Sequence, residues 1–164
     1  MKDNLELIEA VIDQHRDIRE HASAVGAMIS DQDALMALEK ARSDWTPGRF
    51  EALSEKRNGL RQLLSQLDEG IHRHFDFEER ELPPLLGDLM MHALKLDHTE
   101  IEREIGEAGK MIIDMPLDDS NRDELLAGES RIQQRIGVVL QLIEEHAIRE
   151  ETILVMIQRA LEDR

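Results

Sequence analysis

Apolar residues recur every three or four positions along almost the whole chain, the period of a helix with one face turned inward. A first stripe reads Leu5, Ile8, Val11, His15, Ile18, Ala22, Val25 and Ile29, with Asp3 or Asn4 placed to cap its start. A second reads Leu60, Leu63, Leu67, Ile71, His74, Glu78 and Leu82. Pro83-Pro84 then interrupts it, because a proline ring removes a donor and clashes with the preceding turn, and Leu85, Leu86 and Gly87 close the segment. The third stripe is Leu89, Ala93, Leu94, His98, Ile101, Ile105, Ala108 and Ile112, stopped at Met115-Pro116, after which Asp119 or Ser120 can cap a new helix. The fourth is Leu125, Ile132, Ile136, Val139, Ile143, His146, Glu150, Ile153 and Ile157; Gly128 and Gly137 weaken it locally without breaking its period. No strand pattern competes. Long amphipathic helices joined by short connections predict an all-α, up-down-up-down four-helix bundle. The 164 residues fit one domain, 1–164. Residues 31–46 are less regular and read as an insertion, either a short extra helix or an extension of the first. Thr46-Pro47 then reads as a helix start.

Each stripe carries one histidine, and two carry a glutamate one turn further on. His74 and Glu78 stand at i and i+4, as do His146 and Glu150, and such pairs share a helix face about 5–6 Å apart at Cβ. The halves of the chain also resemble each other. His15-Arg16-Asp17-Ile18 aligns with His98-Thr99-Glu100-Ile101, and the His74 to Glu79 segment aligns with His146 to Glu151. A bundle built this way aims four imidazoles and two carboxylates at one axis: His15, His74, Glu78, His98, His146 and Glu150. Buried carboxylates are costly unless neutralised, so cations between these groups give the pattern a chemical reason. Six ligands exceed one tetrahedral zinc. They suit two octahedral ions with bridging carboxylates and terminal imidazoles, a donor set favouring iron over manganese; spacing alone does not separate these from zinc. A lone stripe histidine is usually a core residue satisfied by hydrogen bonds. His21, His92 and His72 point away from the stripes and serve as controls. Glu79 and Glu151 lie about 100° off the glutamates they follow and read as solvated groups or as supports for the histidines. Asp17, Asp97, Glu100 and Glu102 are weaker candidates for that role. Phe75 and Phe77 read as packing around the site, and Trp45 as an anchor for the 31–46 segment.

Composition narrows the partners. A net charge of −16 disfavours nucleic acid and anionic membranes, which require a basic footprint. No run approaches the roughly 20 apolar residues of a membrane span. The acidic N-terminus lacks the marks of a secretory signal, so a soluble cytoplasmic protein is expected. The absence of cysteine excludes disulfides and thiolate metal ligation.

At His15, at "HFDFEE" (74–79) with the following "LPPLL", at "DHTEIE" (97–102) and at "HAIREE" (146–151), the chain resembles the hemerythrin-like family, the HHE cation-binding domains. The resemblance covers nearly the whole length. It implies a bundle holding two iron ions, oxo- or hydroxo-bridged, joined by Glu78 and Glu150, with O2, peroxide or nitric oxide as the small ligand. Oxygen-carrying members have a fifth histidine one turn from the position of His98; here Leu94 and Glu102 stand there. That departure moves the expectation toward peroxide or nitric oxide handling or iron sensing. Iron–sulfur cluster repair is a further alternative, although the cysteine-containing segment common in repair proteins is missing. Reversible O2 carriage, a sensor without turnover, and a purely structural acidic interaction domain are the competing readings. Leu38, Trp45 and Phe50 are candidates for a homodimer patch or for packing on their own chain.

Overall fold

A computed structural model describes residues 2–41, 51–114 and 122–163, with side chains for 3–32, 54–114 and 123–163. The described residues form four helices: α1 (Lys2–Ala41), α2 (Glu51–Glu81), α3 (Pro83–Asp114) and α4 (Arg122–Glu162). Each packs on the next, and α4 closes the ring against α1, giving the expected four-helix bundle. The helix of α1 continues through residues 31–41, so this part of the irregular segment extends the first helix. Thr46-Pro47, Trp45, the 115–120 turn, and the side chains of Leu38 and Phe50 lie outside the described residues. Among those residues, no helix is long and apolar enough to cross a membrane.

Two local expectations need correction. The first helix begins at Lys2, so Asp3 sits inside its first turn. There its charge complements the positive end of the helix dipole. Pro83 and Pro84 open α3 as well as ending α2. Leu82 donates its N–H to the Glu78 carbonyl at 2.9 Å, while its own carbonyl accepts from Leu85 and Leu86 at 2.9 and 3.0 Å. One residue thus ends one helix and starts the next. The prolines fall where the first helical N–H groups would go unpaired anyway. Gly87, with φ 75° and ψ 167°, breaks α3 after this first turn, a conformation open to glycine because it has no Cβ.

The third stripe also shifts. Leu94 is buried as expected, but Leu89 is 85 % exposed and Met91 is buried instead. Nine residues before His98, Leu89 falls half a revolution away from it, and Ala93 is also far off the inward face. Near the end of α4, Leu154 is buried in place of Ile153.

The apolar core lies in two clusters. The larger includes Val25, Leu60, Leu67, Ile71, Ile105, Ile132 and Ile136. The smaller, near the α2–α3 corner, includes Ile8, Val11, Leu82, Met91, Leu94 and Leu154. Fully burying each such side chain stabilises the fold by about 1.5–3 kcal/mol. The stripe histidines and glutamates fall between these clusters, so packing on both sides fixes their height in the bundle.

Candidate metal centre

The structure brings all six residues into one buried layer. His15, His74, His98 and His146 are each 2–3 % exposed, and Glu78 and Glu150 are fully enclosed. Glu78 lies at the centre. Its oxygens are 3.4 Å from His15 Nε2, 2.7 Å from His74 Nε2, 3.2 Å from His98 Nε2 and 4.0 Å from His146 Nε2. Glu150 reaches His15 Nε2 at 3.3 Å and His146 Nε2 at 3.5 Å. Two overlapping sets could each hold a metal ion: His15, His74, Glu78 and Glu150, and Glu78, His98 and His146. Glu78 belongs to both, the position of a bridge, and Glu150, in the first set, also lies 3.5 Å from His146 of the second. The three controls behave as solvated histidines: His21, His72 and His92 are all exposed.

Each of the four imidazoles is held from behind at Nδ1. Nδ1 of His15 meets Glu151 Oε1 at 3.0 Å, that of His98 meets Glu79 Oε1 at 3.0 Å, and that of His74 meets Gln14 Oε1 at 2.9 Å. The contact of His146 with Asp97 Oδ2 is longer, 3.4 Å. Each of these oxygens can only accept, so each Nδ1 donates. The neutral imidazole then turns a bare Nε2 lone pair inward. Inward, the lone pairs meet carboxylate oxygens. None of the four Nε2 atoms, nor any oxygen of Glu78 or Glu150, has a hydrogen-bond partner among the described residues. The short inward contacts therefore bring acceptors together without aligned hydrogen bonds. Acceptors crowded against acceptors in a dry layer repel one another unless protons or cations lie between them. This is the observation that a metal fits.

Without a metal, protons must serve. Burial disfavours the charged form of His15, but Glu150 and Glu78 outweigh it and raise its pKa to about 9. His146, farther from both carboxylates, is lowered by burial to about 4. Burial, only partly offset by His15 and reinforced by the neighbouring Glu78 charge, raises Glu150 to about 7. Burial pushes Glu78 up, but contacts with His15, His74 and His98 prevail and hold it well below the usual carboxylate range. Two like carboxylates thus take up different protonation states in one layer.

The supports follow the half repeat. Under the pairing of His15 with His98 and His74 with His146, Glu151 corresponds to Glu79 and Gln14 to Asp97. Glu79, Glu151 and Asp97 were visible as candidates. Gln14 was not, yet extending the aligned halves by one residue upstream pairs it with Asp97. Of the other acidic candidates, Asp17 accepts from His21 through its backbone carbonyl, Glu102 lies 3.5 Å from the exposed His72, and Glu100 is exposed. Arg19 was also missed. One turn beyond His15, it donates to Glu151 at 2.5 Å and to Glu144 at 2.9 Å, fixing the carboxylate behind His15.

The repeat also breaks beside the histidine layer at Phe75 and Ala147. Phe75 follows His74, and Ala147 follows His146. Phe75 stacks on the His98 ring, centroids 3.8 Å apart and planes 6° apart. Ala147 fills no such volume. It lines a small cavity of about 10 Å³ together with Ile18, Ile71, Phe75, Ile101 and Ile143, walled on one side by His15, His74 and His146. That is room for one water-sized molecule. Phe77 instead packs against the smaller apolar cluster.

A second buried polar layer lies toward the opposite end of the bundle. Glu129 and Gln32 are fully enclosed and Arg57 is 6 % exposed. Arg57 pairs with Glu129, and Gln32 Nε2 donates to Glu129 Oε2 at 3.4 Å.

No family model matches the chain, and no curated protein matches it. Among solved structures, a de novo designed two-domain di-Zn(II) and porphyrin-binding protein is similar. It shows 16 % sequence identity and a TM-score of 0.49, covering 99 % of this chain and 97 % of that one. A likeness this loose carries no argument about the site.

Proposed function

We propose that the protein is a hemerythrin-like di-iron protein that binds or reacts with a small ligand such as O2, peroxide or nitric oxide. The observation that carries the reading is the set of inward Nε2 lone pairs and carboxylate oxygens without hydrogen-bond partners. His15 and His74 would hold one ion with Glu78 and Glu150; His98 and His146 would hold the other with Glu78. Imidazole and carboxylate ligation with positions left open suits iron. When bound, iron supplies the redox and ligand-binding chemistry. The protein's own part is to fix the donors. Glu151, Glu79, Gln14 and Asp97 orient the four rings, and the Ala147 cavity admits one small molecule while its apolar wall excludes bulk water.

The experiment is the optical spectrum of the ferrous-loaded protein before and after exposure to O2. Rapid, irreversible conversion to a ferric spectrum supports peroxide, oxidase or sensing chemistry. A band that is lost again under vacuum supports reversible carriage. An unchanged spectrum with no bound iron contradicts the proposal.

A further inference from the structure

The four supports behind the imidazoles are not alike. Three are carboxylates, and each is itself paired with a cation. Glu151 meets Arg19 at 2.5 Å, Glu79 meets Lys95 at 3.2 Å, and Asp97 meets Arg149 at 2.6 Å. The fourth, behind His74, is the neutral amide of Gln14. A carboxylate accepting from Nδ1 increases the electron donation of the opposite nitrogen to a metal; an amide oxygen fixes the ring with less such donation. His74 is therefore the weakest donor of the four by its surroundings.

The asymmetry matches the ligand sets. The set with His15 and His74 has two carboxylates in direct reach, Glu78 and Glu150, and one behind an imidazole, Glu151. The set with His98 and His146 has Glu78 and two carboxylates behind imidazoles, Glu79 and Asp97, and Glu150 also lies 3.5 Å from His146 Nε2. Both imidazoles of the second set thus have a carboxylate behind them, whereas in the first set only His15 does. A charge at residue 14 would remove that difference.

Resting on the di-metal reading, we infer that Gln14 is a positioning residue that tunes one of the two metal positions, the one held by His15 and His74. It holds the His74 ring through its carbonyl oxygen while withholding the negative charge that the other three rings receive. Its edge of the site is also accessible. Gln14 and His74 line a groove of about 420 Å³ between α1 and α2, with Gly70, Arg73 and Phe77. A change at residue 14 can therefore be accommodated without repacking the core.

The test titrates metal-free protein with Co(II) in competition with a chelator and follows the visible Co(II) absorption. The wild type is expected to bind two ions. Gln14→Leu, which cannot accept from Nδ1, is expected to weaken one of the two constants by about tenfold or more, leaving the other within twofold. Gln14→Glu is expected to tighten that same constant and shift the Co(II) bands that Gln14→Leu perturbs. Asp97→Asn, the matching change in the other half, is expected to weaken the other constant. Two unchanged constants in Gln14→Leu would overturn the inference while leaving the di-metal reading intact. Equal weakening of both, in step with a lower melting temperature of the metal-free protein and without rescue by Gln14→Glu, would also overturn it, because that is the result of a purely structural role. A wild type that binds no Co(II) would overturn the di-metal reading itself.

Discussion

Two buried polar layers cross this bundle, and they differ in what completes them. In the layer of Arg57, Glu129 and Gln32, the protein supplies its own cation, so the enclosed Glu129 carboxylate is matched within the chain. In the layer of His15, His74, Glu78, His98, His146 and Glu150, no lysine or arginine among the described residues pairs with the enclosed carboxylates, which face imidazole Nε2 atoms instead. The first layer is an ion pair made within the chain. The second gathers donor atoms that could hold metal ions. Enclosed carboxylates alone therefore do not mark a metal site. The mark is an enclosed carboxylate facing lone pairs whose tautomer has been fixed from behind.

The largest break in this comparison comes from Glu78. Glu78→Ala removes the group shared by both ligand sets, and metal analysis after reconstitution should find that tight binding of both ions is lost. His74→Ala should remove at least one ion. Arg57→Met attacks the other layer. It leaves Glu129 as an enclosed charge without its guanidinium, and chemical denaturation should record a loss of about 3–5 kcal/mol. That loss should be the same with and without metal, whereas Glu78→Ala should remove the stabilisation that added metal gives the wild type.

The pH dependence sharpens the contrast further. A metal ion must displace the proton that His15 holds up to about pH 9 and the one that Glu150 holds up to about pH 7. Metal affinity should therefore rise with pH between 6 and 9. The change should be about tenfold per unit while one proton is displaced per ion, and proton release is measurable by calorimetry in buffers of different ionisation enthalpy. A smaller effect is confined to the cavity. Ala147→Leu fills the space beside His15 and His146, so nitric oxide binding to the ferrous protein should weaken while both ions are retained. His21→Ala, on the exposed face, should change neither metal content nor melting temperature.

Much of this was legible in the residues. The steps of three and four give the bundle, and the doubled His-x-x-x-Glu spacing gives the buried layer, because i and i+4 positions share one helix face a single turn apart and can reach the same centre. The error at Leu89 arose where Gly87 resets the helix, so the stripe upstream of His98 could not be extended backward by composition alone. Gln14 escaped notice because a glutamine beside a histidine carries no charge signal; its role depends on which ring the neighbouring helix presents. The Arg57–Glu129 pair was hidden for a similar reason. An arginine and a glutamate on distant helices look like ordinary surface charges until packing encloses them.

The most direct test of the central claim is the metal content and melting temperature of the protein reconstituted with ferrous iron without oxygen, compared with the chelated protein. The account predicts two ions per chain and a melting temperature that falls on chelation, since a ligand bound at 1,000 times its Kd stabilises the folded state by about 4 kcal/mol. Less than one ion per chain, with melting unchanged by the chelator, would contradict it and leave the histidine layer as a proton-bridged structural core.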